Sequence, residues 1–107
     1  MKHEVAELEG ALLDAAVVLA LGGWGNEIAV ATGCCSAVNF RPSLYWEHGG
    51  QIIERERLHC IPASPDGWAS FADDWGTERV QYGPTPLIAA MRAFVCSKLG
   101  DEIELPD

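Results

Sequence analysis

The sequence has little positive charge. Its 107 residues include 7 Lys and Arg against 16 Asp and Glu, which gives a formal net charge of −9 at pH 7. Proteins that bind nucleic acids through the phosphate backbone use Lys and Arg side chains to displace counterions. We therefore expect no direct binding of DNA or RNA by this chain.

The sequence also has no long apolar run. The most apolar stretch, residues 11–21, contains one aspartate and is much shorter than the roughly 20 residues that span a bilayer. The first nine residues are acidic, whereas the start of a secretory signal is basic. Neither end carries a lipidation motif. These features favour a cytoplasmic protein without membrane contacts.

Metal ligands are few and poorly spaced. The chain has three His and four Cys, and two of the cysteines are adjacent. Adjacent ligands chelate a single metal ion poorly, and cysteines in a chain without a secretory signal stay reduced. We expect no metal and no other cofactor. We also expect four free thiols, at Cys34, Cys35, Cys60 and Cys96.

Catalytic motifs are missing from the sequence. It contains no nucleophile elbow, no phosphate-binding loop and no dinucleotide fingerprint. A carboxylate pair within residues 54–57 could serve acid–base chemistry. However, alternating charges beside two isoleucines are more typical of a solvated, ion-paired helix face. The sequence therefore favours a protein that is not an enzyme and has no catalytic residues.

The sequence does contain enough apolar material for one core. Hydrophobic residues make up 49% of the chain and charged residues 21%, as in folded globular domains. The length suits a single domain over residues 1–107, without a linker or an internal repeat.

Two amphipathic segments predict helices near the ends of this domain. The first covers residues 4–21, and a glycine pair ends it. Its apolar residues recur at helical spacing, with Glu7 and Asp14 on the opposite face: Val5, Leu8, Leu12, Ala16 and Leu19. In the second helix, Thr85 is the N-cap, Pro86 the first residue and Gly100 the stop. The acidic residues 101–107 are predicted to fray.

Short strands are predicted between these helices. Alternating apolar residues and turn signals place them at residues 27–32, 37–40, 58–61, 68–73 and 78–82. The first two strands form one hairpin, and the last two form another around the turn at residues 74–77. Residues 43–50 are predicted to be a loop, and residues 51–57 fit either a short helix or a strand. The result is an α+β fold in which a small antiparallel sheet packs against both terminal helices.

Aromatic residues in predicted loops indicate a binding surface. Trp is enriched at the centres of protein interfaces because it buries a large area with few rotamers. The loop around Trp46 combines aromatic residues with glycines and a following charged run. The predicted binding residues are Tyr45, Trp46, Gly49, Gly50, Glu54, Arg55 and Trp75. In the alternative interpretation Trp46 is a core residue, and Glu54 and Arg55 attach their segment to the last helix through Arg92 or an acid.

Several sequence blocks resemble a known family. They are GALLD at residues 10–14, Pro42-Ser43 with Trp46 three residues later, GGQIIERE at residues 49–56 and GPTPLIAAMRA at residues 83–93. These blocks are similar to those of the NinX-like phage proteins, over residues 10–14, 42–58 and 67–101. Gln51 departs from the proline that the resemblance leads us to expect. The resemblance implies a phage or prophage origin and a protein of unknown function, with no catalytic residues to transfer.

Three function classes remain open from the sequence. We favour a non-enzymatic accessory protein that binds a protein partner, as a monomer or homodimer. The alternative is an acidic inhibitor that mimics DNA and blocks a nucleic-acid-binding host protein. A small enzyme without a recognisable motif is the third. Acidic side chains along one face would favour the mimic, whereas dispersed acids and an exposed Trp would favour the protein binder.

Overall fold

A computed structural model describes residues 2–23, 40–63, 67–72, 80–100 and 102–104 of the chain. The predicted hairpin at residues 27–40 and the turn at residues 74–77 lie outside these residues, except for Phe40, which is buried. The described elements, in chain order, are β1 (Lys2–Glu4), a 3₁₀ turn (Val5–Glu7), α1 (Gly10–Ala20), α2 (Trp46–Glu56), β2 (Leu58–Ala63), β3 (Gly67–Ala72), β4 (Gln81–Gly83), α3 (Pro86–Leu99) and β5 (Glu102–Glu104). The predicted α+β class is confirmed.

The N-terminal segment differs from the single helix predicted over residues 4–21. The chain forms a strand, then a 3₁₀ turn, and the α-helix begins only at Gly10. Gly10 has a φ of 59°, which glycine adopts without strain. This break shifts the phase of the helix, so Leu12 and Leu19 are exposed instead of buried. The buried face of α1 carries Leu13, Asp14, Ala16, Val17 and Val18.

The three central strands form an antiparallel sheet in the order β2-β3-β4. The predicted pairing of strands near residues 68–73 and 78–82 is confirmed, with Trp68 opposite Gly83 and Ser70 opposite Gln81. Strand β2 continues through Pro62 to Ala63, beyond the predicted end. Proline is tolerated there because β2 has a partner on one side only among the described strands of this sheet.

Helix α3 is the centre of the domain and matches its prediction. The Thr85 hydroxyl accepts a hydrogen bond from the Ile88 N–H at 3.1 Å, and Gly100 follows the last helical residue with a φ of 93°. The helix packs against the three-stranded sheet, α1 and α2. Met91 and Phe94 are fully buried, whereas Leu99 is exposed.

The acidic tail does not simply fray. Residues 102–104 form β5, which pairs with β1 in antiparallel register, with His3 opposite Ile103. Ile103 is buried in the main core cluster. The prediction of fraying is therefore wrong for these three residues, because one apolar side chain in the tail covers the core. Within the described residues, no helix is long and apolar enough to cross a bilayer.

Candidate binding surface

Helix α2 replaces much of the predicted loop. The helix covers Trp46–Glu56, so residues 46–50 are helical and the open alternative at residues 51–57 is resolved as helix through Glu56. Arg57 ends it with a left-handed φ of 54°. Gly49 and Gly50 each disfavour a helix by about 1 kcal/mol relative to alanine, and tertiary contacts override this preference.

Gly49 shows which contacts these are. A Cβ atom at this position would collide with the Pro42 carbonyl oxygen and would lie 2.7 Å from Cδ2 of Leu87. Only glycine therefore lets α2 approach both the segment before it and helix α3. At Gly50 a Cβ would lie 3.9 Å from Trp46, at ordinary contact distance.

Three consecutive large side chains are exposed where α2 begins. Leu44 is 56% exposed, Tyr45 46% and Trp46 58%. We refer to these three residues as the aromatic surface. The interpretation of Trp46 as a core residue is therefore wrong.

A buried carboxylate anchors the segment that precedes the aromatic surface. Oδ2 of Asp14 accepts a hydrogen bond from Nε of Arg41 at 2.8 Å, and Oδ1 accepts one from the Ser43 N–H at 2.9 Å. Asp14 belongs to α1 and is almost fully buried, whereas the sequence pattern placed it on the polar face. The sequence signal for this role is the single aspartate inside the apolar run at residues 11–21. A carboxylate buried in such a run needs hydrogen-bond partners, so it can hold another segment in place.

His48 provides a second anchor from the first turn of α2. It is buried, and its Nδ1 accepts a hydrogen bond from the Arg41 N–H at 3.0 Å. Its ring stacks on Phe40 at 5.3 Å and meets the edge of the Tyr45 ring at 5.5 Å. The ring thus supports Tyr45 from beneath.

The charged residues predicted to join the site lie further along the helix. Glu54 and Arg55 are eight and nine residues after Trp46, or about 12–14 Å along the helix axis. Nε of Arg55 lies 3.3 Å from Oε2 of Glu56, whose Oε1 is 3.2 Å from Nζ of Lys98. The structure thus brings Tyr45, Trp46 and Gly50 together, and Trp75 lies outside the described residues.

Arg92 also differs from its predicted role. It does not pair with the charged run of α2. Its Nε donates to the Leu8 carbonyl at 2.8 Å, and its Nη1 donates to the Tyr82 carbonyl at 2.7 Å. Arg92 therefore joins helix α3 to the N-terminal segment and to strand β4.

The thiol of Cys60, which lies on strand β2, is not activated. Cys60 is half-buried and Cys96 is buried, whereas Cys34 and Cys35 lie outside the described residues. That all four thiols are reduced remains a prediction. Burial raises the pKa of the Cys60 thiol, and a hydrogen bond with Ser70 opposes this effect only in part. A nucleophilic cysteine needs a lowered pKa. Among the residues that the structure describes, no group of three metal-binding side chains comes together.

Comparison with known families agrees with the sequence blocks. A family model described as "Bacteriophage P22, NinX" matches residues 4–98. The matched region includes the aromatic surface, both of its anchors and Arg92. A comparison with curated proteins found no significant match.

Proposed function

Because the chain belongs to the NinX family of phage proteins, we propose that it is a phage-derived accessory protein that binds a protein partner through the aromatic surface. It would act without catalysis in the cytoplasm of an infected or lysogenic bacterium. The observation that carries this proposal is the exposure of Leu44, Tyr45 and Trp46 side by side. Isolated exposed apolar residues are ordinary, whereas contiguous ones mark interaction sites.

The anchoring of this surface supports the proposal. Asp14 holds the Ser43 N–H, and His48 holds the Arg41 N–H. The segment leading into Trp46 is therefore fixed at two points before any partner arrives. Preorganisation lowers the conformational entropy lost on binding, and rigid Trp and Tyr side chains are typical hot spots of interfaces.

The charge around the surface indicates which partner would fit. Glu47 is exposed and follows Trp46 directly, and the chain has a net charge of −9. A partner with an apolar pocket and a basic rim would be complementary. Such a rim speeds association and makes its rate fall as salt is added.

A DNA-mimicking inhibitor is the second candidate. On the two-stranded sheet, Glu4 lies opposite Glu102, and Glu104 is two residues further along β5. All three are exposed. Like charges directly opposite each other destabilise a sheet. Nζ of Lys2 lies 3.8 Å from Oε2 of Glu102 and offsets part of this repulsion, and a functional demand for negative charge would account for the remaining acids.

Affinity capture from phage-infected cells tests both candidates. We would compare wild type, Trp46→Ala, Glu4→Lys with Glu102→Lys, and a matched control, Leu19→Ala, which alters an exposed residue of α1. Loss of one captured protein with Trp46→Ala alone, at unchanged melting temperature, is the result we expect. Loss with the Glu4/Glu102 variant alone would favour the mimic. Identical captured proteins from wild type and Trp46→Ala would refute the favoured proposal.

A further inference from the structure

A cavity of about 590 Å³ lies between the 3₁₀ turn and strand β4, with none of its described lining residues in the aromatic surface. Its lining includes Trp68, Gln81, Tyr82, Gly83 and Arg92. We refer to it as the Arg92 cavity. Three features of this lining point to one class of ligand.

The first feature is a buried cation. Arg92 is only 9% exposed, and both of its described hydrogen bonds go to neutral backbone carbonyls. No carboxylate of the described residues lies within ion-pairing distance of it. Burial lowers the pKa of Arg92, and the more distant charge of Glu9 opposes this effect. Buried charges are normally paired, so an anion in the cavity would complete the environment of this guanidinium.

The second feature is an acceptor without a donor. Oε1 of Gln81 is buried and has no hydrogen-bond partner among the residues that the structure describes. Gln81 lies opposite Ser70, so both side chains are on the same face of the sheet. On that face, the Ser70 hydroxyl is 3.9 Å from Sγ of Cys60. The same sulfur is 3.9 Å from the carbonyl of Pro86, the first residue of α3. This side of the sheet therefore faces α3, the helix that carries Arg92. A ligand N–H would satisfy the oxygen, and an unsatisfied buried acceptor is costly.

The third feature is the apolar part of the wall. Trp68 lies opposite Gly83, so both belong to the face of the sheet that Gln81 shares. Gly83 itself approaches α3 closely, since a Cβ there would lie 2.7 Å from the Ala89 nitrogen. The indole of Trp68 thus borders the cavity beside the two polar groups, and an apolar side chain of the ligand would contact it.

Monoanionic ligands fit this set better than phosphates. A single guanidinium with two donors already engaged faces the ligand, Glu9 acts on it electrostatically and the whole chain is strongly acidic. A dianion would be repelled by such surroundings, whereas a carboxylate pairs well with one guanidinium.

We propose that the Arg92 cavity binds an N-acylated amino acid with an apolar side chain, with its carboxylate at Arg92, its amide N–H at Gln81 and its side chain against Trp68. The same chemistry is present in a free N-acyl amino acid and at the carboxyl end of a peptide. Among the described strands, β4 is an edge of its sheet, so a peptide would have room to continue along it. The proposal does not depend on the aromatic surface.

NMR titration of the isotopically labelled chain tests this proposal. The probes are N-acetyl-leucine, N-acetyl-leucinamide and the tripeptide acetyl-Gly-Gly-Leu with a free carboxylate. We expect saturable shifts of the Trp68 indole and Gln81 side-chain signals with both acids. We expect binding of the amide to be weaker by about tenfold or more, because its charge-assisted hydrogen bond is lost. Tighter binding of the tripeptide would identify a peptide end, and equal binding a free acid.

A substitution in the cavity that should not destabilise the fold provides a second test. Gln81→Leu removes the unsatisfied oxygen, so we expect an equal or higher melting temperature together with at least about fivefold weaker binding of N-acetyl-leucine. Gln51→Leu, at an exposed position of α2, should leave binding unchanged. The proposal is overturned if neither acid binds with a Kd below about 10 mM, if acid and amide bind equally, or if the shifts saturate without involving Trp68 and Gln81.

Discussion

Two buried charges organise two different regions of this domain. Asp14 supports the aromatic surface, and both of its oxygens are satisfied by the chain, through Arg41 and the Ser43 N–H. Arg92 borders a cavity and has only carbonyl groups as described partners. A buried charge whose hydrogen bonds are all satisfied by the protein holds segments of the fold together. A buried charge that borders a cavity without a described counter-ion remains available to bind a ligand. We propose that the first region binds a protein and that the second binds a small ligand in its cavity.

The substitution with the largest expected effect lies in helix α3, which supports both regions. Helix α3 contacts α2 through Leu87 and carries Arg92. Phe94 is fully buried on this helix. Phe94→Ala should lower the free energy of unfolding by about 3–5 kcal/mol, measured by urea denaturation. An unchanged urea midpoint would show that α3 is not the common base of the two regions.

The second prediction tests whether Asp14 holds the fold together, in contrast to Arg92, which is available to a ligand. Asp14→Ala removes the acceptor for Arg41 and for the Ser43 N–H, so we expect a loss of about 2–4 kcal/mol in the free energy of unfolding. Glu54→Gln, at an exposed carboxylate of α2, is the matched control and should change stability by less than about 0.5 kcal/mol. Equal effects of the two substitutions would remove the distinction drawn for Asp14.

Substitutions of the neighbouring residues Gly49 and Gly50 test how the helix that carries the aromatic surface packs on the rest of the domain. Gly49→Ala should destabilise the domain by about 1–3 kcal/mol, because the new methyl group collides with Pro42 and crowds Leu87. Gly50→Ala should instead stabilise it by up to about 1 kcal/mol, because alanine favours the helix and the site has room. Thermal melting of both variants measures the difference, and the same sign for both would contradict the packing of α2.

The smallest effect concerns pH. Cys60 lies on β2, and burial raises the pKa of its thiol above 9.0 in the folded chain. The unfolded thiol therefore ionises first, so the contribution of Cys60 to stability is complete below about pH 9 and decreases as pH rises through the folded pKa. We expect wild type to lose more stability than Cys60→Ala between neutral pH and about pH 10, measured by urea midpoints. A parallel pH dependence of both proteins would show that this thiol is not desolvated.

Features of this fold that depend on local interactions could be predicted from the sequence. Helix α3 was predicted with its cap and stop because Thr85, Pro86 and Gly100 act within one turn of the backbone. The hairpin that pairs Trp68 with Gly83 was also predicted from a short alternating pattern. Tyr45 and Trp46 were predicted as binding residues from composition, and that assignment remains a prediction.

Other features depend on partners distant in the chain. Extending one helical period through Gly10 gave the wrong buried face for α1, because the preceding 3₁₀ turn follows another geometry. The start of α2 at Trp46 depends on the close approach of Gly49 to Pro42 and Leu87, which leaves no room for a Cβ atom. No local pattern contains that information.

By itself, the sequence determined the α+β class, the strongest helix and the family, because these follow from periodicity, capping residues and recognisable blocks. Only the tertiary structure decided that Trp46 is exposed, that Asp14 is a satisfied anchor and that Arg92 faces a cavity. The fate of a charged or aromatic side chain depends on which groups the fold brings within a few ångströms of it. For Arg92 these groups include the Leu8 carbonyl, 84 residues away along the chain.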